Sequence, residues 1–216
     1  QVHVFLSHFH LDHLVGIPMS RMLFDETAEV IFYAQDGDRI REAFGQMMSA
    51  PLWPVGPEAF RAKISYRSVG ERPVILDDRS DSINGIAPVK ISAMQVAHPG
   101  GATAFRADWK DLSMVYATDC DLDGEAVCGL ADFAMETDLL ILDAQYTDAE
   151  YEKCRGFGHS SMRMASQLIA QSHAKRGRLF HHAPDHTDTQ MLELERQLQQ
   201  YQEHISFARE GERIII

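Results

Sequence analysis

The sequence predicts an α/β domain of layered sheets with helices outside, on two observations. The first half reads as meander-like β-structure, and the second half alternates helix and strand. Val2 to Leu6 reads as a short buried strand, Val30 to Tyr33 as another, and Asp36 to Met48 as a helix capped by Asp36. The stretch from Ala50 to Pro57, with Pro51 and Pro54, is connection, and Ala62 to Val69 alternates as a half-buried strand does. Strands are expected at Val89 to Val96, Thr103 to Ala107 and Ser113 to Ala117. Beyond them, Glu125 to Met135 reads as helix, Asp138 to Leu142 as strand, Ser161 to His173 as helix and Arg178 to His181 as strand. Asp188 to Glu203 places Met191, Leu192, Leu194, Leu198 and Tyr201 at the spacing of an amphipathic helix, and two short strands, Ile205 to Ala208 and Arg213 to Ile216, close the chain. Neither repeats nor a low-complexity linker interrupt the pattern, so a single domain over residues 1–216 is expected.

Composition narrows the function classes. The 45% hydrophobic and 24% charged content is that of a globular protein. A formal charge of −12 argues against a broad basic footprint for nucleic-acid backbone, so an anionic substrate would have to be held locally, as bound cations could hold it. Cys120, Cys128 and Cys154 are an odd, sparse set, which speaks for a reducing compartment over a disulfide framework. No apolar stretch has bilayer-spanning length and no signal peptide is evident, so a soluble, cytoplasmic protein with no membrane partner is expected. A first residue of Gln that enters a strand at once points to trimming or processing upstream. Asp77, Asp78 and Asp81 read as a solvated turn.

Chemistry concentrates in the run His8-Phe9-His10-Leu11-Asp12-His13. His8 and His10 are two apart in an extended or loop segment, which turns both imidazoles to one side, and Asp12 and His13 follow in a turn where they face a second position. An isolated histidine is most often a hydrogen-bonded bystander; four ligand-type side chains within six residues would be electrostatically wasteful without a cation. Further along, His98 ends a strand ahead of Pro99 and a Gly pair, Asp119 stands in an acidic turn beside Cys120, Asp121 and Asp123, and His181 and His182 are adjacent. Gly158-His159-Ser160-Ser161 opens a helix whose N-terminal N–H groups and Ser side chains suit a phosphate. The plainer reading of that loop is a Ser cap beside an exposed His.

The run His8 to His13 resembles the His-x-His-x-Asp-His signature of the metallo-β-lactamase superfamily, and the later residues arrive in that family's order. The resemblance implies a four-layer αββα sandwich, although the strands that normally precede the signature strand are not evident here. It implies two divalent metal ions, zinc best suited and manganese or iron admissible. His8, His10 and His98 would surround one ion, Asp12, His13 and His181 the other, with Asp119 shared. True β-lactamases of this fold use a cysteine near Asp119, but the Thr118-Asp119 context fits the aspartate type better than it fits Cys120. Neighbours on a strand face opposite ways, so residue reading leaves His181 and His182 open, and the family pattern favours His181. The Gly158 to Ser161 loop, whose His159 stands 22 positions before His181, is similar to the His-Ser-Thr loop of tRNase Z and related phosphodiesterases, and Asp143-Ala144-Gln145-Tyr146 occupies the place of an acidic strand-end motif in that group.

The resemblance and the residues together imply a dinuclear hydrolase whose bridging hydroxide attacks a small, anionic phosphodiester, a cyclic nucleotide among the options, with His159 and Asp12 as catalytic residues. Only 21 positions separate His98 from Asp119, too few for the long basic arm of tRNase Z, so no tRNA substrate is expected. Two alternatives stay open: a lactonase or thioesterase on the same metals, and a non-catalytic metal-binding sensory module. A flavin-linked diiron reductase is disfavoured, since no second cofactor domain is seen in the sequence.

Overall fold

A computed structural model describes residues 1–76, 87–124 and 126–216, so the turn expected at Asp77, Asp78 and Asp81, and Glu125 at the start of an expected helix, lie outside the described residues. The chain divides into two compact units, Gln1–Arg72 and Pro73–Ile216.

In the first unit, strands β1 (Val2–Phe5), β2 (Glu29–Ala34) and β3 (Lys63–Ser68) form a parallel sheet in that order. As the middle strand, β2 is a continuous apolar run, with Val30, Ile31, Phe32, Tyr33 and Ala34 all buried, as a parallel strand covered on both faces must be. A four-residue helix, α1 (Leu11–Leu14), follows β1, and helix α2 (Gly37–Met47) follows β2. Asp36 caps α2 by accepting from the Asp38 N–H, as its sequence position implied. Ile40, Phe44 and Met47, at helical spacing, bury one face of α2 against β2 and β3, with Phe44 edge-on to Phe32 at 5.2 Å between ring centroids.

The second unit is built on a seven-stranded sheet. Its strands are β4 (Val74–Leu76), β5 (Val89–Val96), β6 (Ala102–Trp109), β7 (Leu112–Ala117), β8 (Leu139–Asp143), β9 (Gly177–Phe180) and β10 (Ile205–Phe207), in the order β10-β9-β8-β7-β6-β5-β4. β4 to β7 pair antiparallel, and β7 to β10 pair parallel through helices α3 (Ala126–Phe133), α5 (Met162–Gln171) and α6 (Asp188–Gln199). The expected meander is found at β4 to β7 and the expected alternation at β7 to β10, but the first unit, also expected to be meander-like, is a parallel sheet. Leu140, Leu142, Leu168, Ile169 and Leu179 are fully buried where α5 lies on β8 and β9. α/β construction with helices on sheets holds in each unit, as predicted.

Further features depart from the sequence reading. Helix α4 (Asp148–Cys154) and the short strand β4 are additional to the expected elements. The strand expected at Arg213 to Ile216 is not formed: after β10 the chain turns through Gly211 at φ 74° and a Glu212 N–H to Arg209 carbonyl bond, and Ile215 is left 87% exposed. Among the described residues no helix is long and apolar enough to cross a membrane.

Candidate metal centre

In the first unit the donor-rich run leaves β1 through Leu6, whose N–H donates to the Tyr33 carbonyl at 2.8 Å and fixes where the strand ends. His10, in extended conformation, is the N-cap residue of α1, so the helix turns immediately after it. Leu14, buried, and Phe9, partly buried, pack into the apolar cluster of this unit and anchor the turn. The histidine rings converge as a result: His8 lies 4.6 Å from His10 and 4.4 Å from His13 between centroids. The Ser7 hydroxyl stands 3.0 Å from His8 Nδ1, and Asp12 Oδ2 lies 3.3 Å from His13 Nε2. The Asp12 side chain is 65% exposed. Asp12 and His13 therefore sit in a four-residue helix where a turn was expected.

In the second unit four site residues end or follow strands running in one direction, and His159 comes from the loop before α5. His98 follows β5, Asp119 follows β7, Asp143 ends β8 and His181 follows β9, the arrangement in which open α/β sheets present ligands. The loops are tied together by the Asp121 N–H donating to the Ala97 carbonyl at 2.8 Å. Asp119 and His181 hold left-handed φ angles of 51° and 61°, uncommon for side-chain-bearing residues and frequent where function fixes the backbone. His181 Nε2 lies 3.4 Å from Asp119 Oδ1, and His98 Nε2 lies 3.7 Å from Asp119 Oδ2. The Thr118 hydroxyl donates to Asp119 Oδ1 at 2.7 Å.

The sequence rivals fall elsewhere. His182 turns the other way, with Nδ1 3.2 Å from the Ala144 carbonyl and its ring on Phe207, and burial lowers its pKa. Cys120 is buried in the apolar cluster with its thiol directed at the Ala117 carbonyl; burial first, then the charges of Asp143 and Asp119, push that thiol well above its ordinary range. A thiol so placed is a core residue.

His159 Nδ1 sits 2.7 Å from Asp143 Oδ2, and Asp143 Oδ1 accepts the Ser160 N–H at 2.9 Å. Burial raises the Asp143 carboxyl above its usual range, opposed by the hydrogen bonds from His159 and Ser160. The His159 ring stacks on His181 at 4.9 Å and 9° and stands edge-on to His98 at 5.1 Å. Asp119, Asp143, His159 and His181 each offer a donor atom within 4.8 Å of the others. Asp143 is the member that the candidate residues drawn from the sequence lack; its strand-end motif is the available signal. The phosphate cradle expected from the serines is not present. Ser160 donates to the Cys120 carbonyl and accepts from the Leu122 N–H, while Ser161 caps α5 and donates to Asp148 Oδ1 at 2.6 Å. Both hydroxyls are buried and engaged by the protein, so the loop contributes its histidine and not its serines.

The donor set fits a cation. His98 Nδ1 lies 2.8 Å from the Gly158 carbonyl, which can only accept, so the ring proton is on Nδ1 and the Nε2 lone pair is directed at the Asp119 carboxylate. A lone pair facing a carboxylate at that range is stabilised by a cation between them, and imidazole with carboxylate is the donor chemistry of zinc.

Comparison with known proteins bears on the family and the fold. The family model for a beta-lactamase superfamily domain matches residues 2–182. No curated protein matches the sequence. Among solved structures, the short form of human tRNase Z is similar at 21% identity and a TM-score of 0.65, over 99% of this chain and 78% of that one. YhfI of Bacillus subtilis, a metallo-beta-lactamase fold protein, is similar at 17% identity and a TM-score of 0.66, over 97% and 76% of the two chains. A diphosphatase of the PhnP family is similar at 17% identity and a TM-score of 0.68, over 99% and 71%. At such identities the likeness speaks to the fold.

Proposed function

The chain belongs to the beta-lactamase superfamily, and from that premise we propose that it is a dinuclear metal-dependent hydrolase of a small phosphodiester, a cyclic nucleotide among the candidates. His8, His10 and His98 would hold one divalent cation and Asp12, His13 and His181 the other, with Asp119 common to both and zinc the best-suited ion. When bound, such a pair supplies an acidified water as nucleophile and Lewis-acid stabilisation of phosphate oxygens. Asp12, exposed and beside His13, orients the attacking oxygen. Asp143 accepts the Nδ1 proton of His159, and in the doubly protonated ring the Nε2–H would pass its proton to the leaving oxygen, leaving a neutral imidazole with its proton on Nδ1.

The observation that carries this reading is the Asp143–His159 pair beside the Asp119 and His181 donors. An alkoxide leaving from phosphorus needs a proton, and an aligned imidazole supplies one. Substrates of PhnP-family diphosphatase and tRNase Z are also phosphorus esters or anhydrides by name, which supports the same class. tRNA itself is disfavoured by the charge of −12 and by the interval from His98 to Asp119, which is taken up by a β6–β7 hairpin. The test is a parallel assay of zinc-loaded protein on bis-nitrophenyl phosphate, cyclic nucleotides and a lactone. Phosphodiester turnover is expected, and His159→Ala or Asp143→Asn should lower it about 10²–10⁴-fold, least with the nitrophenyl leaving group, which needs no proton. A protein that opened the lactone and left every phosphodiester intact would sink the reading in favour of a lactonase or thioesterase; metal binding with no turnover would favour a sensory module.

A further inference from the structure

Each imidazole in the second unit's donor cluster turns Nδ1 to a protein partner: His98 to the Gly158 carbonyl at 2.8 Å, His159 to Asp143 at 2.7 Å, and His181 to the Gln145 side-chain amide at 3.2 Å. The first two partners accept only and therefore dictate the tautomer. Gln145 differs, because a half-turn of its amide exchanges a donor for an acceptor at the same point. Asp143 does not serve His181 in its place. Its Oδ2 is 3.9 Å from His181 Nδ1 but 2.7 Å from His159 Nδ1, and its Oδ1 takes the Ser160 N–H.

The backbone around Gln145 is built to hold this contact. The Ala144 N–H donates to the Phe180 carbonyl at 2.9 Å, and the Ala183 N–H donates to the Gln145 carbonyl at 3.1 Å, so the left-handed residue His181 is bracketed by two bonds to the Ala144-Gln145 segment.

Resting on the metal-dependent reading above, we propose that Gln145 is a positioning residue that sets the tautomer of His181. With its Oε1 turned to the ring it accepts from Nδ1–H and directs the Nε2 lone pair towards a cation at Asp119. With its NH₂ turned to the ring it donates to Nδ1, and the proton moves to Nε2, facing Asp119 Oδ1 at 3.4 Å. Gln145 thereby lets His181 carry its proton on Nδ1 when a metal is bound and on Nε2 when it is not, with Nδ1 partnered in either state. A carboxylate at this position would support only the metal-binding tautomer, and a thioether, which has no donor and accepts only weakly, would hold neither firmly.

The test is zinc titration of the full chain against a competing chromophoric chelator, with the His181 tautomer read from its ¹⁵N ring shifts. Gln145→Met should weaken zinc binding about 10–100-fold while leaving the His159 ring shifts in place. Gln145→Glu, which keeps an acceptor, should retain wild-type affinity and show Nδ1–H even without metal. Should the Met variant fail to fold, the wild type decides: zinc must move His181 to the Nδ1–H form, and a loaded protein still protonated at Nε2 overturns the proposal. Met-variant affinity equal to wild type would overturn this inference alone, whereas a wild type that bound no zinc would overturn the functional reading with it.

Discussion

At Gly158, a φ of 92° and the absence of a side chain are both required, because a Cβ there would collide with Pro99 Cδ and His98 Nδ1. The same residue supplies the carbonyl that fixes the His98 ring, so one glycine sets both the space and the tautomer of that histidine. Gly158→Ala is expected to cost about 2 kcal/mol or more, from left-handed strain and displaced neighbours, and to lower zinc affinity as well. Urea midpoints and a zinc titration of the same variant check the two effects together. The site is most legible in sequence at this scale where its donors are contiguous: His8 to His13 announces itself within six positions, since such a cluster has little other use. Asp143 does not stand out, because a carboxylate at the end of a strand looks like any strand-end polar residue until His159 is brought 2.7 Å from it. Ser160 and Ser161 mislead for the converse reason. Their type suits a phosphate, but burial commits their hydroxyls to the protein.

Among the elements, the parallel strands are pinned where they are joined. Asp138, just before β8, accepts the Ser113 N–H from β7 at 2.7 Å and the Lys175 ammonium from the segment before β9 at 2.7 Å. The Lys175 hydrogen bond, aided by Ser113 and opposed by desolvation, holds the Asp138 carboxyl below its ordinary value of 3.8. A carboxyl depressed on folding contributes stability that is complete above the unfolded value and is lost as pH falls through the folded one. Wild type should therefore lose stability below about pH 5, and Asp138→Asn should lose about 1 kcal/mol at neutral pH and show a flatter acid limb. Thermal melts from pH 7 to pH 3 check it. Buried strands and capped helices are readable in sequence because their cause is local: Asp36 caps α2, and the apolar run of β2 needs no partner to be recognised. Helix α4 has a local cause as well, the Thr147 and Glu150 capping box, but its seven residues are too short to show a convincing apolar period. Arg213 to Ile216 shows the opposite limit: an apolar run reads as a strand, but these residues pair with no strand among the described residues.

For the whole molecule, the acidic balance and the donor clusters make one joint expectation. Bound cations that favour the folded chain should stabilise it by about 2.7 kcal/mol at a hundredfold excess over Kd, so chelation should lower Tm and added zinc restore it. Calorimetry with and without chelator decides this, and an unchanged Tm would count against tight resident metals. At a charge of −12, RNA should bind weakly at physiological salt, which a filter-binding series reads directly. The strand ends of the second unit carry one more consequence. β7, β8 and β9 are adjacent and parallel, so Asp119, Asp143 and His181 leave the sheet on neighbouring strands spaced about 4.8 Å apart. The sheet acts as a ruler: backbone hydrogen bonding sets the pitch between these groups, and only side-chain reach is left to vary. Asp143→Glu, one methylene longer on an unmoved mark, should overshoot the His159 ring, and no adjustment of loop length would restore the fit.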